Sequence, residues 1–499
     1  MIAGRAHAPP GSGTILAMTT PGSAPALQSV TVGALTPGRF QEVLAPAQFA
    51  AFEDGIERAR ALFAGRAIWN VNSTARGGGV AEMLVSLLAY ARGAGIDARW
   101  SVIAGNDDFF HVTKRLHNQL HGSEGDGGAL DDAAREAYER ALVPNAQELQ
   151  EELEDDDIVI LHDPQTAGLI PTVKQAGVPV VWRCHVGVDA PNDIARGAWR
   201  FLERYVCDAD AVIFSREAFR WEGLGDVPVH IIPPSIDAFS PKNQDLPEGA
   251  VDAILATAGL VRMADVDDGR ATFARVDGSP GRVHRQAQVW QEAPLEPDAS
   301  FLLQVSRWDR LKDPMGVIDG FLEHVADRCD AHLVYAGPAV EAVSDDPEGR
   351  AVLEEAYGRW EGLDAGMRAR VHLAALPMDD LEENAAIVNA LQRRANVVTQ
   401  KSIAEGFGLT VAEAMWKGRP VVASKVGGIQ EQIVDGVSGR LLGDPRDLAT
   451  FGRLVAELLN DPAGAERMGE EARTRVRDEF LAVRHLLQYV DVLAPLTNG

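Results

Sequence analysis

Residues 396–429 constrain the fold of this chain more tightly than any other stretch. The β-branched run over 396–399 predicts a buried strand. A polar, glycine-containing turn ends at Gly408, and an apolar-periodic helix is predicted over 409–417. Gly418 stands where a helix C-cap belongs, and Pro420 blocks its continuation. A second strand over 421–423 runs into Gly427-Gly428 and another helix start. Strand, loop, helix, repeated, is the unit of a parallel α/β sheet, whose ligands bind beyond the carboxyl ends of the strands. Two carboxylates frame the first loop: Glu405 within it, and Glu413 one turn inside the helix. A helix N-terminus after glycines favours anions such as diphosphates. Ionised carboxylates suit vicinal hydroxyls, which donate hydrogen bonds to them. The loop therefore reads as a nucleotide-sugar site, with Gly406, Phe407, Gly408 and Leu409 on the donor side.

The same unit recurs along the chain. A strand over 67–72 leads through Gly77, Gly78 and Gly79 straight into a helix, leaving helix N–H groups free for an anion or a sugar oxygen. A helix over 106–122 carries His111, His117 and His121; the last two share a face, but no motif accompanies them and a cleft-lining helix is preferred to a metal site. A strand over 157–161 ends in His162-Asp163-Pro164-Gln165, and one over 178–183 ends in Cys184-His185. Both deliver polar groups to the ligand edge of a parallel sheet. Two prolines, Pro233 and Pro234, mark the exit from this half. In the second half a strand over 301–306 precedes Arg307 and Lys312, cations able to clamp a diphosphate.

The expected organisation is a disordered tail over 1–26, an acceptor-side domain over 27–245, and a linker or insertion over 246–299, with a helix over 252–263 and residues 264–299 outside the core. A nucleotide-sugar domain follows over 300–475, then a helix over 476–499 crossing back to the first domain. Met1 and Met18 both remain open as the start. With 499 residues the chain can bury two or three cores. The balance of 73 acidic against 47 basic residues, −26 in all, argues against nucleic acid and anionic lipid surfaces. Three cysteines make neither a disulfide frame nor a zinc site, and no apolar run approaches membrane-spanning length, so the cytoplasm is the expected location.

The run Glu405 to Glu413 (E-G-F-G-L-T-V-A-E) with the following P-V-V-A-S-K-V-G-G-I-Q-E resembles the E-x7-E pattern of retaining glycosyltransferases of the GT-B fold, family four. That resemblance implies two Rossmann-like, doubly wound parallel-sheet domains facing each other across a cleft. Within the family, R-C-H at 183–185, H-D-P-Q at 162–165, V-T-K-R-L-H-N at 112–118 and P-P-S-I-D-x-x-S-P-K-N at 233–243 are similar to the trehalose synthase branch. This implies transfer of glucose from a nucleoside-diphosphate glucose, a substrate and not a cofactor, onto free glucose. Trehalose phosphorylases share many of these motifs, and the direction stays open between the two.

The resemblance implies roles as well. Arg307 and Lys312 neutralise the leaving diphosphate, His185 orients the donor glucose, and Glu405 holds a sugar hydroxyl. Glu413 holds the ribose, Gly78 and Gly79 assist at the donor, and His162, Asp163 and Gln165 line the acceptor pocket. No metal and no cofactor are expected. The expected partners are small sugars and the nucleotide-sugar, without nucleic acid or membrane; a homodimer is left open.

Overall fold

The computed structural model describes residues 26–75, 79–263, 268–340 and 347–497. Two sheets organise them, each of seven strands. The first contains β1 (Leu27–Ser29), β2 (Ala67–Asn72), β3 (Asp97–Ile103), β4 (Ile158–His162), β5 (Val180–Cys184), β6 (Ala211–Phe214) and β7 (Val229–Ile231). A small hairpin, β8 (Thr272–Ala274) with β9 (Pro280–Arg282), stands apart. The second sheet is built from β10 (Gln288–Trp290), β11 (Phe301–Val305), β12 (His332–Pro338), β13 (Val371–Leu376), β14 (Val397–Gln400), β15 (Val421–Ser424) and β16 (Arg440–Leu442).

The strand orders are β1-β3-β2-β4-β5-β6-β7 and β10-β13-β12-β11-β14-β15-β16. In each, one short edge strand runs antiparallel, β1 on β3 and β10 on β13, and the other pairs are parallel. Strands β2, β4, β5, β6, β11, β14 and β15 are buried along their whole length, as apolar strands covered by helices on both faces must be. The order reverses between β2 and β4 in one sheet, and between β11 and β14 in the other. Loops leaving those neighbours diverge and open a crevice at the strand ends. The residues singled out by sequence leave these strands or the neighbouring β5.

Residues 264–299, expected to lie outside the core, contribute to it among the described residues, as does the helix before them. Helix Ala250–Thr257 buries Ala253, Ile254 and Leu255, and Ala271, Phe273, Val283 and Leu295 join the same cluster as Phe301 and Leu303. Three-residue strands are too short to show a period, and their polar partners lie about a hundred residues away. Arg275 pairs with Asp380 and Glu382, and the buried Glu383 accepts the Arg285 N–H at 2.6 Å.

The helix expected over 476–499 does not start there but is two helices. Helices Pro462–Glu479 and Ala482–Leu493 are separated at Phe480 and Leu481, where Ile236 donates to the Phe480 carbonyl at 2.9 Å and accepts from Ala482 N at 3.1 Å. The last helix then lies on the first half, with Val490 and Leu493 against Ile68, Ile160 and Val181.

Candidate active site

Strand β4 ends at His162, and the chain turns at once. Asp163 adopts φ 65°, a left-handed conformation that costs a non-glycine residue roughly 1 kcal/mol or more. The turn aims its carboxylate at the next strand end. One oxygen accepts the His185 backbone N–H at 2.8 Å, and both lie 3.1 Å from His185 Nδ1. The other ring nitrogen, Nε2, sits 2.7 Å from Arg183 Nε. His162 stacks on His185, centroids 5.6 Å apart and planes within 9°, and its Nε2 meets Asn70 Oδ1 at 3.0 Å. Burial raises the Asp163 carboxyl, but the hydrogen bonds it accepts from the His185 ring and backbone outweigh that and bring it to about 2. Burial depresses both histidines, with Asp163 partly opposing, so they stay neutral through the physiological range. Gln165 follows on the same turn, its Oε1 buried without a hydrogen-bond partner.

Helix Asp107–Leu120, capped by Asn106 accepting from Phe109 N, brings His117 and His121 to this edge. Their rings meet at 5.0 Å, and His121 Nδ1 lies 3.0 Å from the Gly187 carbonyl oxygen. Burial holds His117 down at about 3; it also senses Asp163 and Arg307. Burial lowers His121 too, against the pull of the Gly187 carbonyl and Glu405. The helix therefore lines the cleft from the first half and faces charges of the second. Its i, i+4 histidine spacing was the available signal.

The second half presents charge more openly. Beyond β11, Arg307 is 56% exposed and its Nη2 donates to Asp309 at 2.9 Å. Asp309 also accepts the Leu311 N–H, which tightens the turn that delivers Lys312. Lys312 Nζ lies 2.7 and 2.6 Å from the two oxygens of Glu405, and Ser402 Oγ donates to the same carboxylate at 3.1 Å. Two further groups fix this geometry. The buried Gln304 amide donates to the Lys312 carbonyl and accepts the Lys401 N–H. Asp313, itself at φ 52°, caps helix Pro314–His324 and pairs with the buried Lys401 ammonium. Ser402, Gln304 and Lys401 carry no motif of their own and escaped the sequence reading.

Helix Leu409–Trp416 begins after Gly408, at φ 80°, and no side chain caps it. The uncapped start of this helix follows directly on the loop that holds Glu405, an arrangement that attracts anions, although the Val411 N–H is taken by the Gly408 carbonyl at 3.0 Å. Phe407, assigned by sequence to the donor side, turns its ring into the core against Phe480. Its backbone remains in the loop, where its carbonyl accepts from Gln432 at 2.6 Å.

The two halves approach closely. A Cβ added at Gly406 would lie 3.6 Å from the His185 carbonyl oxygen, and one at Gly79 would lie 3.0 Å from Leu409 Cδ1. Gly79 opens helix Gly79–Gly93; Gly77 and Gly78 lie outside the described residues. Asp189 accepts the Gly427 N–H at 3.0 Å and the Gln430 amide at 2.8 Å, while Arg216 donates to the Gly427 carbonyl at 2.6 Å and pairs with Glu431. This clasp joins the strand ends of β5 and β6 to the Gly427-Gly428 turn, and sequence reasoning missed it.

Glu413 is placed deeper than the sequence implied. It is 2% exposed, and Lys242 Nζ approaches one oxygen at 3.6 Å while pairing with Glu82 at 2.7 Å. Its Oε2 is buried without a hydrogen-bond partner. Burial raises the carboxyl against the pull of Lys242. Among the described residues, no group of three or more His, Cys, Asp or Glu is arranged to hold a metal ion, and no helix is long and apolar enough to cross a membrane.

Comparison with known proteins agrees with this layout. Residues 70–221 match the family described as trehalose synthase, N-terminal domain, and residues 381–475 match glycosyl transferases group 1. Trehalose synthase of Thermococcus litoralis is 35% identical over 424 residues, spanning 85% of this chain and 89% of that one. Trehalose synthase of Rubrobacter xylanophilus is 35% identical over 435 residues, spanning 87% and 91%. Among solved structures, an α,α-trehalose-phosphate synthase (UDP-forming) from Burkholderia vietnamiensis superposes with a TM-score of 0.63 at 16% identity, covering 87% of this chain and 99% of that one. That likeness establishes the fold, GT-B.

Proposed function

The chain belongs to the trehalose synthase family of glycosyltransferases, and from that premise we propose that it moves glucose from a nucleoside-diphosphate glucose onto free glucose, with retention, to make α,α-trehalose. One observation carries this reading. An uncapped helix N-terminus and the Lys312–Glu405 pair meet at one loop, Arg307 stands exposed on the same turn as Lys312, and the His185 carbonyl faces Gly406 from the opposite half.

In the proposed reaction the bond from the anomeric carbon to the β-phosphate oxygen breaks, and negative charge grows on the diphosphate. Arg307, Lys312 and the helix N-terminus stabilise that charge where it develops, the largest effect a preorganised site can supply. Arg307 has the planar fork that takes phosphate oxygens in pairs, and Lys312 adds a point charge. Lys312 would be shared between the phosphate and Glu405, which frees a Glu405 oxygen for a hydroxyl of the transferred sugar. The unpartnered Glu413 Oε2 suits a ribose hydroxyl. The acceptor glucose is placed against the Asp163 and Gln165 edge, where His117 and His121 stay neutral and can accept or donate a hydrogen bond. Its hydroxyl attacks from the face the diphosphate leaves, and the departing phosphate oxygen takes the proton. No residue is assigned as a covalent nucleophile, and the proposal uses no metal and places the enzyme in the cytoplasm.

The test is product analysis with UDP- and ADP-glucose as donors and glucose as acceptor. The expected products are α,α-trehalose and nucleoside diphosphate in equal amounts, unchanged by a chelator. In reverse, trehalose is offered with nucleoside diphosphate or with inorganic phosphate. Release of glucose with phosphate alone, as glucose 1-phosphate, would replace this reading by a phosphorylase, for which a carboxylate at Glu413 has no ribose to hold.

A further inference from the structure

We propose that Arg183 is a positioning residue that fixes the tautomer and charge of His185, holding Asp163, His185 and Arg183 as one buried relay beneath the sugar site. The proposal rests on the site described above, but not on which sugar is transferred there.

The argument starts from donors and acceptors. A guanidinium has five N–H donors, no acceptor, and does not deprotonate in proteins. Arg183 is fully buried, and its Nε lies 2.7 Å from His185 Nε2. That nitrogen must accept, so the ring proton sits on Nδ1, where both Asp163 oxygens lie at 3.1 Å to receive it. The neutral ring thus separates one full positive from one full negative charge. Asp163, at 3.1 Å through the imidazole, is the anion nearest in the relay to a guanidinium whose other contacts are the Ile232 carbonyl at 3.0 Å and the face of Tyr489 at 5.3 Å. The Tyr489 ring comes from the last helix, so that helix touches the relay directly.

Burial first, and the Arg183 charge beside it, favour the neutral His185 ring, and Asp163 opposes them. His162 stacks on it from β4, Arg183 bonds to it from β5, and His485 on the last helix feels it together with Arg183, Arg484 and His162. Asp163 is the opposing group, and Cys184, Tyr489 and His117 in turn sense Asp163. Remove the Arg183 charge and Asp163 is left unopposed beside an imidazole with two free protonation states. The ring then takes up a proton as pH falls, and its backbone carbonyl is no longer held against Gly406 by a fixed ring.

The test uses the full chain labelled with ¹⁵N-histidine, with the His185 signal assigned by His185→Gln. In the wild type, two-bond spectra should show His185 as the neutral Nδ1–H tautomer at neutral pH. In Arg183→Met, the ring should populate both tautomers and take up its proton at higher pH than in the wild type. The pH profile of glycosyl transfer should gain an acid limb absent from the wild type, with turnover down about tenfold at neutral pH and little change in KM. Arg183→Lys, which restores a cation without the fork, should recover the flat profile in part. An Nε2–H tautomer in the wild type, or a His185 signal and profile unchanged in Arg183→Met, would overturn the proposal. Should Arg183→Met not fold, the wild-type tautomer and the Lys variant decide it. If no glycosyl transfer is found at all, the spectra still decide the relay, because they need no substrate.

Discussion

The two halves share a strand plan but place their polar groups in opposite ways. In the first half His162, Arg183 and His185 are buried, with Arg183 Nε against His185, Arg183 Nη2 donating to the Ile232 carbonyl and the His185 N–H donating to Asp163, while Arg183 Nη1 and Gln165 Oε1 stay unpartnered. In the second half Arg307 reaches solvent, Lys312 and Glu405 lie at the cleft margin, and the first-turn N–H groups of helix Leu409–Trp416 have no capping side chain. The first half buries its polar groups; the second leaves its cations nearer solvent. Under the proposed reaction this division would help, because a rigid floor costs no reorganisation while an open charged half can take a charged donor.

The largest effect is expected where the second half meets the diphosphate. Arg307→Ala and Lys312→Ala should each lower turnover by at least a hundredfold, about 3 kcal/mol of lost charge stabilisation. Arg307→Ala should do so with an unchanged melting temperature. Steady-state kinetics beside calorimetry separate the two, and full activity in both variants would remove the contrast between the halves.

Next comes the ion network that joins them. Lys242→Met leaves Glu413 buried with its nearest cation removed, which should destabilise the protein by about 2 kcal/mol, less than for a fully enclosed pair because Lys242 is 20% exposed. Adding Glu413→Gln should return much of that loss in denaturant titrations, although donor binding should then weaken.

Acid sensitivity should belong to the first half. Asp163 titrates at about 2 in the folded chain, below its ordinary range, so its contribution is present above about pH 4 and lost as pH falls towards 2, in total about 2 kcal/mol. The buried neutral His162 and His185 act in the same direction, since unfolding in acid lets them take up protons. Asp163→Asn should flatten the acid side of the stability profile; a slope equal to the wild type's would show that the relay is not what acid attacks.

The smallest effect is expected at the clasp. Asp189 is 37% exposed, so Asp189→Asn should raise the donor KM by no more than about threefold. A larger change would mean that the clasp, and not the floor, sets the cleft geometry.

The chain displayed this plan unevenly. The two switch-point loops were readable because glycines, a helix start and charged residues recur there in a fixed order, from Ser306 to Pro314 and from Glu405 to Glu413. His185 and Asp163 were readable as polar residues at apolar strand ends. What was not readable depends on partners distant in sequence. Gln304 and Lys401 are 97 positions apart, and Arg216 and Gly427 are 211 apart. Local pattern carries no trace of such pairs. Residues 264–299 were misjudged for the same reason, since β10 acquires its meaning only beside β13 and Arg275 and Arg285 only beside Asp380 and Glu383.

The break at Phe480 and Leu481 carries a mechanical consequence. The backbone leaves the first half near Ile236 and returns at Ala482, and these two passages are hydrogen-bonded to each other. A pair of adjacent pins permits rotation about one axis and resists twist about the others. Displacement then grows with distance from the pins, so a few degrees of swing is felt least beside Ser235 and His485, whose side chains meet at 2.8 Å. Shortening the chain before Ala482 would remove one pin, strip the apolar cover from Ile68, Ile160 and Val181, and leave the second half tethered as on a string.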